Sequence, residues 1–291
     1  MTPAGRQELA EAARGWLLLT PAILAVGIFL ALALITTLVT SFWSQDYLTI
    51  VRDFTLTNYA QTLSEPLFRV LFLRSLWIAG ITTLLCVLIA YPIAYYIVFY
   101  VRQRKVVWIV LLTIPFWTSY LLRVFAWKLV LGFNGIINSG LKSLGMIDQP
   151  LTFLLYNPLA IVITLVHAWL PFAVLPIYVN LEKMDRSLLE AATDLGDSPL
   201  ERFFRITLPL SMPGVLAATM MIFIPTVGDY VTPLMVGGPD GLMIANAIGA
   251  QFGKSNNWPL GSALSLTSMV LVSVVALAVM TLGRRTSGSA A

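Results

Sequence analysis

Six runs of apolar residues, each long enough to cross a bilayer as a helix, leave this chain few ways to fold. A water-soluble domain has no use for such runs, whereas about 20 apolar residues in a helix cross a hydrocarbon core ~30 Å thick. The composition agrees, since 58% of the residues are hydrophobic and only 11% are charged. We therefore predict an all-α polytopic membrane protein with six transmembrane helices, at residues 16–41, 74–100, 106–131, 155–179, 211–236 and 259–282.

The positive charges between these runs predict an orientation. Segments on the side of the two termini carry eleven Lys and Arg residues, against five on the other side. Cytoplasmic loops are enriched in Lys and Arg, so both termini are expected in the cytoplasm. The eleven residues are Arg6, Arg14, Arg102, Arg104, Lys105, Lys183, Arg186, Arg202, Arg205, Arg284 and Arg285. The predicted organisation is an N-terminal tail at 1–15, a transmembrane domain at 16–282 with a charged segment at 182–209, and a C-terminal tail at 283–291.

Residues able to carry out chemistry are scarce in this sequence. Cys86 is the only cysteine and His167 the only histidine, so neither can form a metal site with others of its kind. The stretch Gly249-Ala250-Gln251-Phe252-Gly253-Lys254-Ser255 has three residues between its glycines, where a phosphate-binding P-loop needs four. We therefore expect a chain that is not an enzyme and holds no metal. Any energy for transport would then come from an ion gradient or from another subunit.

A charged segment lies between predicted spans four and five. Ser187 with Glu190 has the spacing of a helix capping box, and Ser198 with Glu201 has it again. Gly196 stands between the two, where a helix can end in the left-handed conformation. The pattern predicts two short helices joined by a sharp turn. They form either a docking surface for a partner or an amphipathic connector that lies on the bilayer.

Within this segment, one spacing resembles a known signature. The residues concerned are Glu190, Ala191, Ala192, Gly196, Ile206, Leu208 and Pro209. Their spacing is similar at every position to the EAA-x3-G-x9-I-x-LP signature of permease subunits of ATP-binding cassette (ABC) importers. The resemblance implies that the segment is a cytoplasmic coupling helix between helices 4 and 5, inserted into a groove on a separate ATPase. The small side chains of Ala191 and Ala192 would let that partner approach closely.

The same resemblance implies the rest of the assembly. A permease of this kind works with an ATP-binding cassette ATPase dimer, a second permease subunit and an extracytoplasmic solute-binding protein, in the bacterial inner membrane. ATP would bind to the ATPase, so no cofactor is expected in this chain, and the assembled complex is expected to be an ATPase. Transport would proceed by alternating access.

Further motifs resemble the spermidine/putrescine branch of these permeases. They are Pro115-Phe116-Trp117-Thr118-Ser119-Tyr120-Leu121-Leu122-Arg123, Phe125-Ala126-Trp127, Gly237-Gly238-Pro239-Asp240 and Asn257-Trp258-Pro259. The resemblance implies a polyamine cargo. Related branches that carry ferric ions or thiamine share parts of these motifs, and these solutes stay as alternatives.

The fifth predicted span contains a carboxylate, Asp229, which is costly in a membrane and is expected to face a polar cavity or a partner. Pro225, Gly228 and Pro233 surround it, so a broken helix with free backbone carbonyls is predicted there. A carboxylate beside the aromatic Tyr230 would suit a passing ammonium ion.

The tentative substrate pathway consists of Asp229, Tyr230, Trp117, Tyr120 and Arg123. A structural ion pair between Arg123 and Asp229 is an equal alternative to a role in substrate passage. Trp117 and Tyr120 are more often packing residues than cation sites.

Two other classes of function compete with an ABC permease. An ion-coupled secondary transporter should show internal repeats, and none is convincing here. A membrane scaffold would have no need of an acid and of Pro and Gly breaks in the fifth span.

Overall fold

The computed structural model describes the backbone of residues 3–47 and 49–288 and the side chains of residues 16–47 and 49–283. Within this part the regular secondary structure is helical apart from one antiparallel β-hairpin, in which Ser44 pairs with Val51, and the predicted all-α fold class is confirmed. The side chains of Arg6, Arg14, Arg284 and Arg285 lie outside the described residues.

The elements follow one another in this order. They are α1 (Pro3–Ser41), β1 (Ser44–Asp46), β2 (Thr49–Val51), α2 (Thr57–Ser64), α3 (Pro66–Phe99), α4 (Lys105–Thr113), a 3-10 turn (Ile114–Trp117), α5 (Tyr120–Leu131), α6 (Ile136–Ser143), a second 3-10 turn (Thr152–Leu154), α7 (Pro158–Glu182), α8 (Arg186–Asp194), α9 (Pro199–Arg202), a π-turn (Phe203–Thr207), α10 (Leu208–Val227), a second π-turn (Pro233–Gly237), α11 (Gly238–Gly241), α12 (Ile244–Gly253) and α13 (Trp258–Gly288).

Six helical segments of the described chain are long and apolar enough to cross a membrane, as predicted. They are Trp16–Ser41, Pro66–Phe99, Tyr120–Ser143, Pro158–Glu182, Pro199–Val227 and Trp258–Gly283. The second begins earlier than predicted. The fifth ends at Val227 rather than at 236, and this break beside Asp229 is the one that the sequence predicts.

The third predicted span, 106–131, is wrong as a continuous helix. Pro115 has no N–H to donate and its ring crowds the preceding turn, so the helix tightens into the 3-10 turn Ile114–Trp117. Thr118 and Ser119 are then extended, with ψ values of 152° and 136°, and α5 starts at Tyr120. Two shorter helices therefore replace one long helix.

Helices α3, α7 and α10 pack together as the core of the molecule. Small side chains line their contacts, including Ala90, Ala94, Ala173 and Ala218, all fully buried. A Cβ added at Gly214 of α10 would lie 2.7 Å from Asn180 Cβ on α7. Small residues let helix backbones approach closely in a membrane, which has no hydrophobic drive for helix association.

At the edge of this core lie α1 and the connection that follows it. Helix α1 packs along α13, but no residue in the most hydrophobic stretch of α1 is buried. Asn58 of α2 donates hydrogen bonds to the carbonyls of Ser41 and Trp43, at 2.9 and 2.7 Å. These bonds hold α2 against the end of α1 and next to α13.

Candidate functional site

The breaks in the third and fifth spans meet inside the molecule. Tyr120, the first residue of α5, lies after one break, and Asp229 lies just beyond the end of α10 at the other. The Tyr120 hydroxyl donates to Asp229 Oδ2 at 2.7 Å and is hydrogen bonded to Thr232 Oγ1 at 2.6 Å. Irregular backbone at membrane depth is tolerated where it lines a cavity or is covered by protein, so the meeting point marks a candidate site.

The Asp229 carboxylate is held by three donors. Besides Tyr120, the backbone N–H groups of Val231 and Thr232 donate to Oδ1 at 3.0 and 3.3 Å. The residue is 8% exposed. A carboxylate with two oxygens has about four acceptor positions, so these three bonds from described residues leave one position for a further donor.

Arg123 does not form the ion pair with Asp229 that the sequence offered as an alternative. Among the described side chains, Lys105 pairs with Glu182 and Arg205 with Asp197, and Arg123 takes part in neither pair. Its guanidinium donates to the Ala168 carbonyl at 3.3 Å and faces the rings of Phe116 and Tyr120, with Cζ 5.4 and 5.7 Å from their centroids.

A cavity of about 420 Å³ opens between these residues. Four of the five predicted pathway residues line it, namely Asp229, Tyr230, Tyr120 and Arg123. Trp117 does not, because the 3-10 turn directs its side chain outward, where it is 84% exposed.

Sequence reasoning missed three aromatic residues of the cavity wall, Phe116, Trp169 and Phe172. Phe116 and Phe172 meet edge to face at 4.6 Å between centroids, and Trp169 lies 5.6 Å from Phe172. Phe116 lies within the motif Pro115–Arg123 that resembles the spermidine/putrescine branch, but the two α7 residues lie in an apolar run with no distinguishing signal. Aromatic faces around a carboxylate give a site in which an ammonium group could be bound.

Helix α8 of the charged segment starts earlier than predicted. Asp185 is the N-cap, and its carboxylate accepts a hydrogen bond from the Ser187 N–H at 3.0 Å, which lowers the pKa of the Asp185 carboxyl. The predicted capping box at Ser187 and Glu190 is therefore wrong. The Asp185 carboxylate accepts a hydrogen bond from a free N–H of the first turn, and its negative charge interacts favourably with the positive end of the helix dipole. Ser187 is therefore a residue of the first turn and not the N-cap.

The turn after α8 has the predicted conformation. Gly196 has φ +93°, which is the left-handed region. Its N–H donates to the Thr193 carbonyl at 3.0 Å, and the Asp197 N–H donates to the Ala192 carbonyl at 3.0 Å. These two bonds form a Schellman motif, which closes the helix and reverses the chain.

A second capping box starts the helix that follows, and it is confirmed. The Ser198 N–H donates to Glu201 Oε2 at 2.9 Å, and the Glu201 N–H donates to Ser198 Oγ at 3.3 Å. The helix then runs without a break through the π-turn to Val227, one residue before the Gly228 that lines the cavity. The turn at Gly196 and the cavity are therefore the two ends of one continuous helix.

One face of α8 is apolar and exposed. Leu188, Ala191 and Leu195 lie three and four residues apart, so they share a face, and Leu195 is 87% exposed. Ala191 is exposed, but Ala192, which was expected with it to let a partner approach closely, is buried at 5% exposure.

The remaining predicted coupling residues are spread along the next helix. Ile206 lies in the π-turn, while Leu208 and Pro209 begin α10. All three are partly buried, and Glu190 is exposed on α8. The signature residues therefore divide between an exposed helix and the packed start of a membrane-spanning one.

Most of this sequence matches one known protein family and several known proteins. The family "Binding-protein-dependent transport system inner membrane component" matches residues 67–287. Spermidine/putrescine transport system permease protein PotB of Escherichia coli K12 is 37% identical over 267 residues, covering 90% of this chain and 92% of that protein. PotB of Haemophilus influenzae is 38% identical over 221 residues, covering 76% of this chain and 77% of that protein.

The fold is similar to solved structures. A chain of a bacterial ABC transporter that imports the acidic polysaccharide alginate has a TM-score of 0.73 at 17% identity, covering 96% of this chain and 99% of that one. A chain of the MetNI methionine ABC transporter has a TM-score of 0.54 at 16% identity, covering 78% of this chain and 99% of that one.

Proposed function

The chain belongs to the family of inner membrane components of binding-protein-dependent transport systems, as a permease subunit of an ABC importer, and we propose that its cargo is a polyamine of the spermidine and putrescine class. It is a multi-pass inner membrane protein and a transport subunit. Two relatives that match at least three quarters of the chain carry spermidine/putrescine permease in their names, which supports this cargo.

The observation that carries the cargo proposal is the cavity between the two helix breaks. The Asp229 carboxylate in its wall stands among aromatic rings that include Tyr120, Trp169 and Phe172. An ammonium group gains from both a carboxylate and ring faces, and more so away from bulk water. A linear polyamine would pass through with one ammonium at a time beside Asp229.

The exposed α8 is proposed as the coupling helix, with Glu190, Ala191, Ala192, Gly196, Ile206, Leu208 and Pro209 as the coupling residues. Its apolar face around Leu188 and Leu195 would enter a groove of the ATPase dimer, which binds the ATP. Pro199–Val227 spans 29 residues, about 43 Å of helix at roughly 1.5 Å per residue, and reaches from the Gly196 turn to the cavity. A movement of α8 would thereby be transmitted to Asp229.

The remaining parts of the assembly complete this mechanism. A second permease subunit would pair with this one, and an extracytoplasmic solute-binding protein would deliver the cargo. α8 and both termini would face the cytoplasm. ATP-driven closure of the ATPase dimer would change the access to the cavity from one side of the membrane to the other.

Uptake of labelled spermidine by the importer reconstituted in vesicles tests the cargo. Putrescine should compete, whereas ferric ion and thiamine should not. Uptake of labelled ferric ion or thiamine in place of spermidine would overturn the polyamine proposal and leave the permease assignment intact.

Asp229→Asn tests the role of the carboxylate. The amide keeps the size of the side chain, and its oxygen can still accept from the Val231 and Thr232 N–H groups, but an NH2 group replaces the oxygen that accepts from Tyr120 and the negative charge is removed. We expect spermidine uptake to fall at least tenfold, equivalent to roughly 1.4 kcal/mol, with the amount of assembled complex unchanged. Asp229→Glu, which keeps the charge, should retain more uptake. A loss of assembly in Asp229→Asn with normal uptake per complex would assign Asp229 a structural role only.

A further inference from the structure

Tyr230 lines a second cavity as well as the Asp229 cavity. The second cavity, of about 460 Å³, is lined by Tyr230 together with residues of α3 and α12, including Arg74 and Asn246. Tyr230 also lines the Asp229 cavity, so this residue is common to both. A change in the position of Tyr230 therefore affects both spaces.

Helix α12 holds Tyr230 at two points. The Asn246 side-chain amide donates to the Tyr230 carbonyl at 2.8 Å, which fixes the backbone. One turn later, Gly249 lies against the ring itself. A Cβ added at Gly249 would be 2.7 Å from Tyr230 Cε2, 3.2 Å from Cδ2 and 3.6 Å from Cζ. Real Cβ atoms do not approach carbon at 2.7 Å, so any side chain at 249 would displace the ring.

We propose that Gly249 is a positioning residue for cargo passage, because the absence of its side chain lets the Tyr230 ring lie back against α12 and leave the Asp229 cavity open. A methyl group at 249 pushes the ring away from α12, and because Tyr230 also lines the Asp229 cavity, its displacement alters that cavity. This inference rests on the proposed function, in which the cargo passes Asp229.

The chain offers a matched control on the same helix. Gly253 lies one turn beyond Gly249, and a Cβ added there meets nothing within 4 Å. Gly249→Ala and Gly253→Ala therefore make the same chemical change within α12, and only the first one meets the Tyr230 ring.

Spermidine uptake by the reconstituted importer is the first measurement. Gly249→Ala should lower uptake about tenfold, a size expected when one added methyl displaces a packed ring, and Gly253→Ala should not lower it.

Double variants test whether the Tyr230 ring is the cause. In the Gly249→Ala background, Tyr230→Phe should not restore uptake because it keeps the three crowded ring atoms. Tyr230→Val removes them, so the double variant should transport as well as Tyr230→Val alone. Wild-type uptake by Gly249→Ala, or equal losses in Gly249→Ala and Gly253→Ala, would overturn the proposal.

A second measurement does not depend on the cargo. Cys86 is buried, so the wild-type chain serves as a blank for thiol labelling. Phe172→Cys places a thiol in the Asp229 cavity, on α7 and away from α12. In right-side-out vesicles, its labelling by a membrane-impermeant reagent should slow about tenfold when Gly249→Ala is added and recover with Tyr230→Val.

The two measurements separate the two proposals. If no polyamine is taken up but labelling of the Phe172→Cys variant responds to Gly249→Ala as stated, the cargo is wrong and the role of Gly249 stands. If polyamine uptake is normal in the wild type and labelling is the same with Gly249→Ala and with Gly253→Ala, the role of Gly249 is refuted and the cargo stands.

Discussion

Asp229 and Arg123, the two charged residues that line the cavity, are stabilised by different kinds of contact. Asp229 accepts hydrogen bonds from three groups, whereas the buried Arg123 Nε has no hydrogen-bond partner among the described residues. Arg123 is instead covered by aromatic faces, which stabilise a cation without neutralising it. The cavity is therefore lined by one carboxylate and one guanidinium, and under the proposed function the guanidinium would oppose a cationic cargo.

Arg123→Gln should make a cationic cargo bind more readily. Glutamine can still donate to the Ala168 carbonyl but carries no charge, so repulsion of an ammonium in the cavity is removed. We expect KM for spermidine to fall about fivefold, equivalent to ~1 kcal/mol, with a smaller change in the maximal rate. Arg123→Lys, which keeps the charge, should leave KM close to the wild-type value. A higher KM in Arg123→Gln than in Arg123→Lys would contradict this role.

At the scale of the elements, the sequence predicted breaks better than it predicted the directions of side chains. Pro225 and Gly228 indicated the end of α10, and Gly196 indicated the left-handed turn. Pro115 carried the same kind of signal, but the span around it was predicted as continuous. A 3-10 turn changes the angle between successive residues, so helical periodicity could not tell that Phe116 faces the cavity and Trp117 faces away.

Gly196→Ala should weaken coupling through the shape of the turn. At φ +93° an alanine is strained by roughly 1–2 kcal/mol, so α8 should lose its fixed angle to α9. We expect the stimulation of ATPase activity by the solute-binding protein to fall several-fold in the assembled importer. Gly145→Ala is the control, because Gly145 has φ +69° with open space around it and lies outside the coupling segment. If both variants lower the stimulation equally, general strain is the cause.

The start of α8 should respond to pH through its N-cap, Asp185. The hydrogen bond from the Ser187 N–H lowers the pKa of the Asp185 carboxyl, so the capping contribution is complete above the unfolded pKa of about 3.9 and is lost as the pH falls through the lower folded pKa. Hydrogen exchange at residues 187–190, corrected for intrinsic rates, should therefore accelerate below about pH 4. Asp185→Asn keeps a capping oxygen without a titrating group and should lack this acceleration. The same acceleration in Asp185→Asn would contradict the assignment.

At the scale of the whole molecule, six apolar runs were enough to predict the number of spans and the fold class. They did not predict how the spans meet. The hydrogen bond between Tyr120 and Asp229 joins residues 109 positions apart, and nothing in either local pattern identifies the other. The contact arises because α5 and the π-turn that follows α10 both pack on α3 and α7.

The orientation of the molecule in the membrane can be tested at a single loop, because one ion pair fixes the position of that loop relative to α8. Lys105 donates to Glu182 at 2.8 Å, so the loop before α4 lies at the same end as the start of α8. If α8 meets an ATPase in the cytoplasm, a cysteine at exposed Gln103 must be cytoplasmic and one at exposed Thr49 must lie outside. In intact spheroplasts an impermeant thiol reagent should label Thr49→Cys, and should label Gln103→Cys only after permeabilisation. The opposite result would put α8 on the outer face, where no ATPase could reach it, and would refute the coupling role of the segment.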